Sequence, residues 1–101
     1  MRKITEQSIA AFNNNRDFKK SNMRVFTKDI NGMLFTCMSL WDNIIAFKDQ
    51  ETGIVSITNC GYETNTTKDR LNAIDGVHIH QKDFVWYLNG KMWDGKLTEI
   101  K

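Results

Sequence analysis

The chain has 101 residues, of which 41% are hydrophobic and 26% are charged. These values are typical of one globular domain with a modest core, and they exclude a disordered chain. No apolar run reaches the roughly 18 residues that a membrane-spanning helix needs, and no secretory segment follows the first residues. We therefore expect a single domain over residues 1–101, with no membrane partner and a cytoplasmic location.

Charge is distributed unevenly along the chain. The net charge is +2, but residues 1–28 hold seven Lys or Arg against two acidic residues, which gives +5. The other 73 residues hold seven against ten, which gives −3. A basic N-terminal third is typical of a protein that meets an acidic partner, either nucleic acid or protein, and also of a solvated face.

The N-terminal pattern predicts a helix over residues 6–15. Thr5 is the expected N-cap, because its hydroxyl can accept a hydrogen bond from a first-turn amide. Ile9 and Phe12 are three residues apart and share one face. The asparagines at 13–15 compete for backbone hydrogen bonds and should end the helix. The polar residues 16–22 are expected to form a loop.

Four strands follow, over residues 23–28, 33–40, 44–48 and 54–59. In the first, Arg24, Phe26 and Lys28 lie on the face opposite Met23 and Val25. The apolar run at 33–40 predicts a central strand. Short polar turns separate the four strands, and this spacing favours an antiparallel meander.

The C-terminal third predicts a second short helix and a hairpin. Thr66 and Asp69 resemble a capping box, among several possible caps at 64–67. Strands are expected at 77–81 and 84–88, and the Asn89-Gly90 pair is typical of a type I′ turn. This turn would pair Trp86 with Trp93. The predicted fold class is α+β: an N-terminal helix on an antiparallel sheet of about six or seven strands, with the second helix inserted before the C-terminal hairpin.

Few residues suggest catalysis or metal binding. His78 and His80 share a strand face and could form half of a zinc site, but no further ligand is spaced nearby. Cys60 with either histidine lacks the motif of an activated nucleophile. Cys37 and Cys60 are interpreted as small buried hydrophobic residues and not as a disulfide. We therefore expect no metal site, no cofactor, no catalytic residue and no enzymatic activity.

The aromatic residues admit three interpretations. Trp86 and Trp93 could form a core layer beneath a helix, as aromatic side chains often do. They could instead be exposed as a stacking platform for single-stranded nucleic acid. They could also form a protein-binding patch, because Trp, Tyr and Arg dominate interface energetics.

Several motifs give the sequence a family resemblance. They are MRKITEQ followed by Ala11-Phe12, then NTTKDRLNAI at 65–74, Gln81-Lys82, WYLNG at 86–90 and WDG at 93–95. With this combination the chain resembles a group of small tailed-phage proteins. The resemblance implies a phage origin and a role in the cytoplasm of the infected host cell, and it carries over no catalytic residue. Small phage proteins of this kind often bind and inhibit a host or anti-phage defence protein.

The leading hypothesis is a non-enzymatic binding protein that engages or inhibits a host or defence macromolecule. The alternative is a nucleic-acid-binding accessory protein that uses the same basic and aromatic surface. The protein is expected to be a monomer or a homodimer, since a small sheet has free edges. The predicted partner-binding residues are Arg16, Lys19, Lys20, Arg24, Arg70, Trp86, Tyr87 and Trp93.

Overall fold

The computed structural model describes residues 2–100 of the chain. Its two helices and nine strands follow in chain order. They are α1 (Lys3–Asn13), β1 (Phe18–Lys20), β2 (Met23–Ile30), β3 (Met33–Leu40), β4 (Asn43–Asp49), β5 (Val55–Ile57), α2 (Asn65–Asn72), β6 (Ile79–Lys82), β7 (Val85–Leu88), β8 (Lys91–Met92) and β9 (Thr98–Ile100).

The strands form two antiparallel sheets. The larger has six strands in the order β1-β2-β3-β4-β5-β9, and the smaller has three in the order β6-β7-β8. The α+β class, the N-terminal helix, the meander, the second helix and the C-terminal hairpin are confirmed. The hairpin belongs to a separate sheet, and β9 returns to β5 to complete the larger one.

The loop predicted at residues 16–22 is wrong at its centre. Phe18–Lys20 forms the edge strand β1, paired with β2 from Phe18 opposite Val25 to Lys20 opposite Met23. The residues are too polar to predict a strand by themselves. Pairing with β2 and partial burial of Phe18 against the core stabilise this conformation.

Thr5 is not the N-cap of α1, because the helix begins at Lys3 and Arg2 occupies the cap position without a side-chain hydrogen bond. Thr5 is buried and donates its hydroxyl hydrogen to Asp69 of α2. Arg70 Nη1 donates to Thr5 Oγ1 at 2.7 Å and to Asp69 Oδ2 at 2.8 Å. The Thr5 hydroxyl therefore links α1 to the Asp69–Arg70 ion pair within α2, in which Arg70 is buried and Asp69 partly exposed. Removing Asp69 would leave a buried guanidinium without its counter-ion, which is costly.

The predicted capping box of α2 is also wrong. The N-cap is Thr64, whose hydroxyl accepts from the amide of Thr67 at 3.1 Å. Asp69 cannot serve as the acidic member because Thr5 and Arg70 occupy its carboxylate. At the other end, the Asn72 carboxamide bonds both the N–H and the C=O of Ile79, at 2.6 and 3.0 Å.

The main core lies on one face of the six-stranded sheet. Phe12 of α1, Leu71 of α2 and Trp86 of β7 all belong to one buried cluster with Met38 of the sheet. The Trp86 and Trp93 rings lie 6.3 Å apart, and Trp93 N donates to Trp86 O at 2.9 Å. The predicted pairing is confirmed, and the core interpretation of the two tryptophans is the correct one.

Candidate functional site

The opposite face of the six-stranded sheet carries an uncovered group of aromatic and basic side chains. Both helices and the small sheet contribute to the core cluster on the other side, and that cluster contains no residue of this face. We call this surface the open sheet face and define it by seven residues. They are Lys19, Arg24, Phe26, Lys28, Phe35, Cys37 and Phe47.

The strand register fixes the arrangement of these side chains. Phe26 pairs with Cys37, and Cys37 pairs with Phe47, so the three form one row across β2, β3 and β4. Phe35 lies in the next row, opposite Lys28. The half-buried phenylalanines surround Cys37, which is fully buried although no helix covers it. The result is an apolar centre with no described element packed on it.

Cations border this apolar centre on the β1–β2 side. The Arg24 guanidinium carbon lies 4.4 Å from the Phe26 ring centroid, a cation–π contact. Lys19 pairs with Arg24 and shares its face, and Lys28 is exposed four residues after Arg24 along β2. The sequence indicated this alternation of Arg24, Phe26 and Lys28, but Phe35 and Phe47 were missed because only strand pairing brings them alongside.

The predicted cationic group divides between the two faces. Lys19 and Arg24 lie on the open sheet face, whereas Lys20 pairs with buried Met23 and its Nζ lies 3.4 Å from Gln7 Oε1 of α1. Arg16 is exposed just before β1. The four residues are therefore accessible but do not form one patch.

Three of the other predicted contact residues require correction. Arg70, Trp86 and Trp93 are 3%, 1% and 8% exposed, respectively, so they are part of the interior and do not present a contact surface. Arg70 is held there by Thr5 and Asp69, and the tryptophans by packing under the helices. Tyr87 is half-buried at the surface of the small sheet and stacks on His80, with ring centroids 5.0 Å apart.

The histidines and cysteines are the side chains for which metal binding or nucleophilic chemistry was considered. His78 and His80 are exposed, and no cluster of three potential metal ligands occurs within residues 2–100. Cys37 is buried as predicted, but Cys60 is exposed, which corrects its assignment to the core. The residue as a whole is exposed, but its sulfur is partly buried, and this desolvation raises the pKa of the Cys60 thiol. A hydrogen bond with Thr58 acts in the opposite direction and offsets part of the rise. A raised pKa disfavours the thiolate that a nucleophile requires.

The two thiols are expected to differ sharply in reactivity. In the native protein a thiol reagent should modify one thiol per chain, at Cys60, and reach Cys37 only after denaturation. Because burial also raises the pKa of Cys37 and disfavours its thiolate, the contrast should persist at mildly alkaline pH. The rate of Cys60 modification should keep rising with pH beyond the usual range of thiol pKa values, because only the thiolate reacts and the pKa of this thiol is raised. A thiol-reagent time course on native and denatured protein measures this. Cys60→Ser should abolish the fast phase, and equal native rates for both thiols would contradict the assignment.

Comparison with known proteins identifies the family of the chain. Residues 1–99 match the family model described as Kyanoviridae Gp96 protein. The chain belongs to this phage protein family. This match confirms the phage origin that the sequence resemblance implied. No curated protein and no solved structure matches it. Within residues 2–100 of this Gp96 family protein, no helix is both long enough and apolar enough to span a membrane.

Proposed function

We propose that this phage protein is a non-enzymatic binding protein that engages, and thereby inhibits, a host or anti-phage defence protein inside the infected cell. The observation that supports the proposal is the open sheet face. Phe26, Phe35 and Phe47 form an apolar centre that no described part of the chain covers. Most of the buried centre of a protein interface is apolar, with aromatic residues and Arg enriched there.

Charge favours a partner with an acidic surface. Arg24, Lys19 and Lys28 lie along one side of the aromatic centre, so a protein that places carboxylates there gains steering and orientation. The exposed edge strand β1 has only three residues, and two are lysines. A short, charged edge disfavours strand addition. The flat face is therefore a better candidate contact surface than the sheet edge.

The protein-partner proposal is tested by affinity capture with a matched pair of surface variants. Tagged protein is incubated with infected-host lysate, treated with nuclease and washed at high salt. We expect a stoichiometric protein partner that the Arg24→Glu/Phe26→Ser variant loses and that purified wild-type protein binds directly. The control Lys91→Glu/Met92→Ser changes charge by the same amount, and also replaces one apolar side chain, at exposed positions away from this face. Equal capture by the open-face variant would contradict the proposal.

A second candidate is single-stranded nucleic acid, because the same face combines aromatic rings with three cations. Bases stack on aromatic side chains and phosphates pair with Lys and Arg. If Arg24, Lys19 and Lys28 each contact one phosphate, the logarithm of the binding constant should fall with a slope of about −2 against the logarithm of salt concentration. The second candidate would be supported if only nucleic acid is recovered, and if it is lost both at high salt and in the Arg24→Glu/Phe26→Ser variant. The partner would then be single-stranded nucleic acid and not a protein.

A further inference from the structure

A separate cleft lies at the end of the six-stranded sheet, between the β3–β4 turn and the segment that leads into α2. Its volume is about 390 Å³, within the range of small-molecule sites. Leu40 and Ile45 contribute apolar surface, and Asn43, Asn59 and Thr66 contribute polar groups. Each residue that lines the cleft is uncharged.

Two aromatic side chains line this cleft and remain open to solvent. Trp41 is 69% exposed and Tyr62 is 55% exposed. Their backbones are nevertheless fixed: Trp41 N donates to Asn22 O at 2.9 Å, and Tyr62 N donates to Asn59 O at 2.8 Å. The rings are therefore presented on firmly held backbone without being used for packing.

Trp41 also occupies an unfavourable backbone conformation. It forms the β3–β4 turn with Asp42, and their φ angles are +52° and +64°. Such turns favour Asn-Gly, the pair found at the Asn31-Gly32 and Asn89-Gly90 turns of this chain. A bulky residue at positive φ is strained, and burial does not compensate here because the ring is exposed. Fold stability therefore gives no reason for a tryptophan at this turn.

A buried carboxamide supplies a polar contact within the cleft. Asn59 is only 2% exposed, and its Oδ1 accepts from Gly61 N at 2.8 Å. Its Nδ2 makes no hydrogen bond to another of residues 2–100, although the side chain lines the cleft. Nδ2 itself is not one of the fully buried side-chain atoms without a partner within residues 2–100, so solvent reaches it. A ligand that places an acceptor there would replace water as its hydrogen-bond partner.

We propose that this cleft binds a nucleobase, stacked against Trp41 and Tyr62, with a ring acceptor of the base bonded to Asn59 Nδ2. A flat heteroaromatic ring matches two exposed aromatic side chains, and its edge presents acceptors and donors to Asn59 and Thr66. The absence of lining charge means that the base, and not a phosphate or a metal ion, supplies the contacts. The base is either that of a free nucleoside or that of a nucleotide in a single strand.

Nuclear magnetic resonance of the ¹⁵N-labelled protein tests this proposal directly, because side-chain amides give their own signals. Adenosine, guanosine, cytidine and uridine are titrated singly, followed by a short single-stranded oligonucleotide and a methyl hexoside. We expect at least one nucleoside to shift the Asn59 side-chain amide saturably. A response to the oligonucleotide alone would assign the base to a strand.

Three variants make the outcome specific. Trp41→Gly should fold at least as stably, because glycine accepts positive φ, and should weaken binding roughly tenfold or more, since one stacked ring is lost. Tyr62→Ala should weaken binding similarly. Phe84→Ala is the matched control, an exposed aromatic at positive φ in another hairpin and outside this cleft, and should bind like wild type.

The proposal is overturned if neither nucleosides nor oligonucleotide shift Asn59, if Trp41→Gly binds like wild type, or if only the hexoside binds. The Arg24→Glu/Phe26→Ser variant should retain nucleoside binding. The proposal for the cleft and the proposal for the open sheet face can therefore be contradicted independently of each other.

Discussion

Replacing Gly95 with alanine is expected to lower the free energy of unfolding by ~3–4 kcal/mol, combining a positive-φ penalty with an overpacking penalty. Gly95 has φ +85°, and an added Cβ would overlap the Asn59 carboxamide. Neither Gly95 nor Asn59 can move away easily. Gly95 O accepts from Asn59 N at 3.1 Å and from Thr58 Oγ1 at 2.7 Å, so the glycine and the 58–59 segment are locked together.

Gly90 provides the matched control for this substitution. Its φ is +87°, nearly the same as that of Gly95, but an added Cβ would meet nothing within 4 Å. Gly90→Ala should therefore cost only the backbone penalty, ~1 kcal/mol. Urea denaturation of the two variants measures the difference as a shift of the midpoint at constant slope.

A double-mutant cycle locates the cause of the Gly95 effect. In an Asn59→Ala background the overlap is removed, so Gly95→Ala should cost nearly as little as Gly90→Ala. Equal costs for the two glycine substitutions in the wild-type background would show that Asn59 does not confine Gly95. The contact matters for the cleft as well, because Gly95 packs against the side chain whose amide faces the proposed base.

Replacing Trp86 with alanine is expected to destabilise the protein by about 3–5 kcal/mol, the usual cost of removing a large buried aromatic side chain. Trp86 is 1% exposed and contacts Trp93 within the core cluster. For a domain of this size, such a loss corresponds to a melting temperature lower by roughly 15–30 °C. Thermal unfolding followed by circular dichroism measures it.

Two further substitutions separate packing from polarity at this position. Phe84→Ala, two residues earlier and 91% exposed, should change stability by no more than about 0.5 kcal/mol. Trp86→Phe should lose less than Trp86→Ala, because the indole Nε1 has no hydrogen-bond partner within residues 2–100. If the Trp86→Ala variant is as stable as wild type, Trp86 is not part of the core. The interpretation of the hairpin as an exposed stacking platform would then be favoured.

Much of the local structure was predictable from the sequence because it depends on neighbouring residues. The strand Met33–Leu40 was predicted with both ends correct, since its apolar run is bounded by turn residues on either side. The Asn89-Gly90 turn was predicted from its tolerance of positive φ, which the observed +51° and +87° confirm. That turn alone fixes the register that brings Trp86 to Trp93.

Other local predictions failed where a side chain has a distant partner. Thr5 is a reasonable N-cap by sequence, but its hydroxyl bonds to Asp69, 64 residues away. Arg70 carries the charge of a surface residue, yet it is buried. Its Nη1 donates to Thr5 and Asp69, while its Nε has no partner within residues 2–100. Thr98–Ile100 becomes a strand only because β5 has a free edge to pair with. No local pattern contains these partners.

For the open sheet face, too, one part was predictable from local sequence and another part depends on tertiary packing. By itself, the sequence determined the alternation that places Arg24 and Phe26 on one strand face, because side chains of a strand point to opposite sides in turn. The tertiary structure decided which face is covered. Both helices and the tryptophan hairpin pack on the side of Met23 and Val25, since that side buries the larger continuous apolar area. The basic and aromatic side of the sheet is thereby left open to solvent.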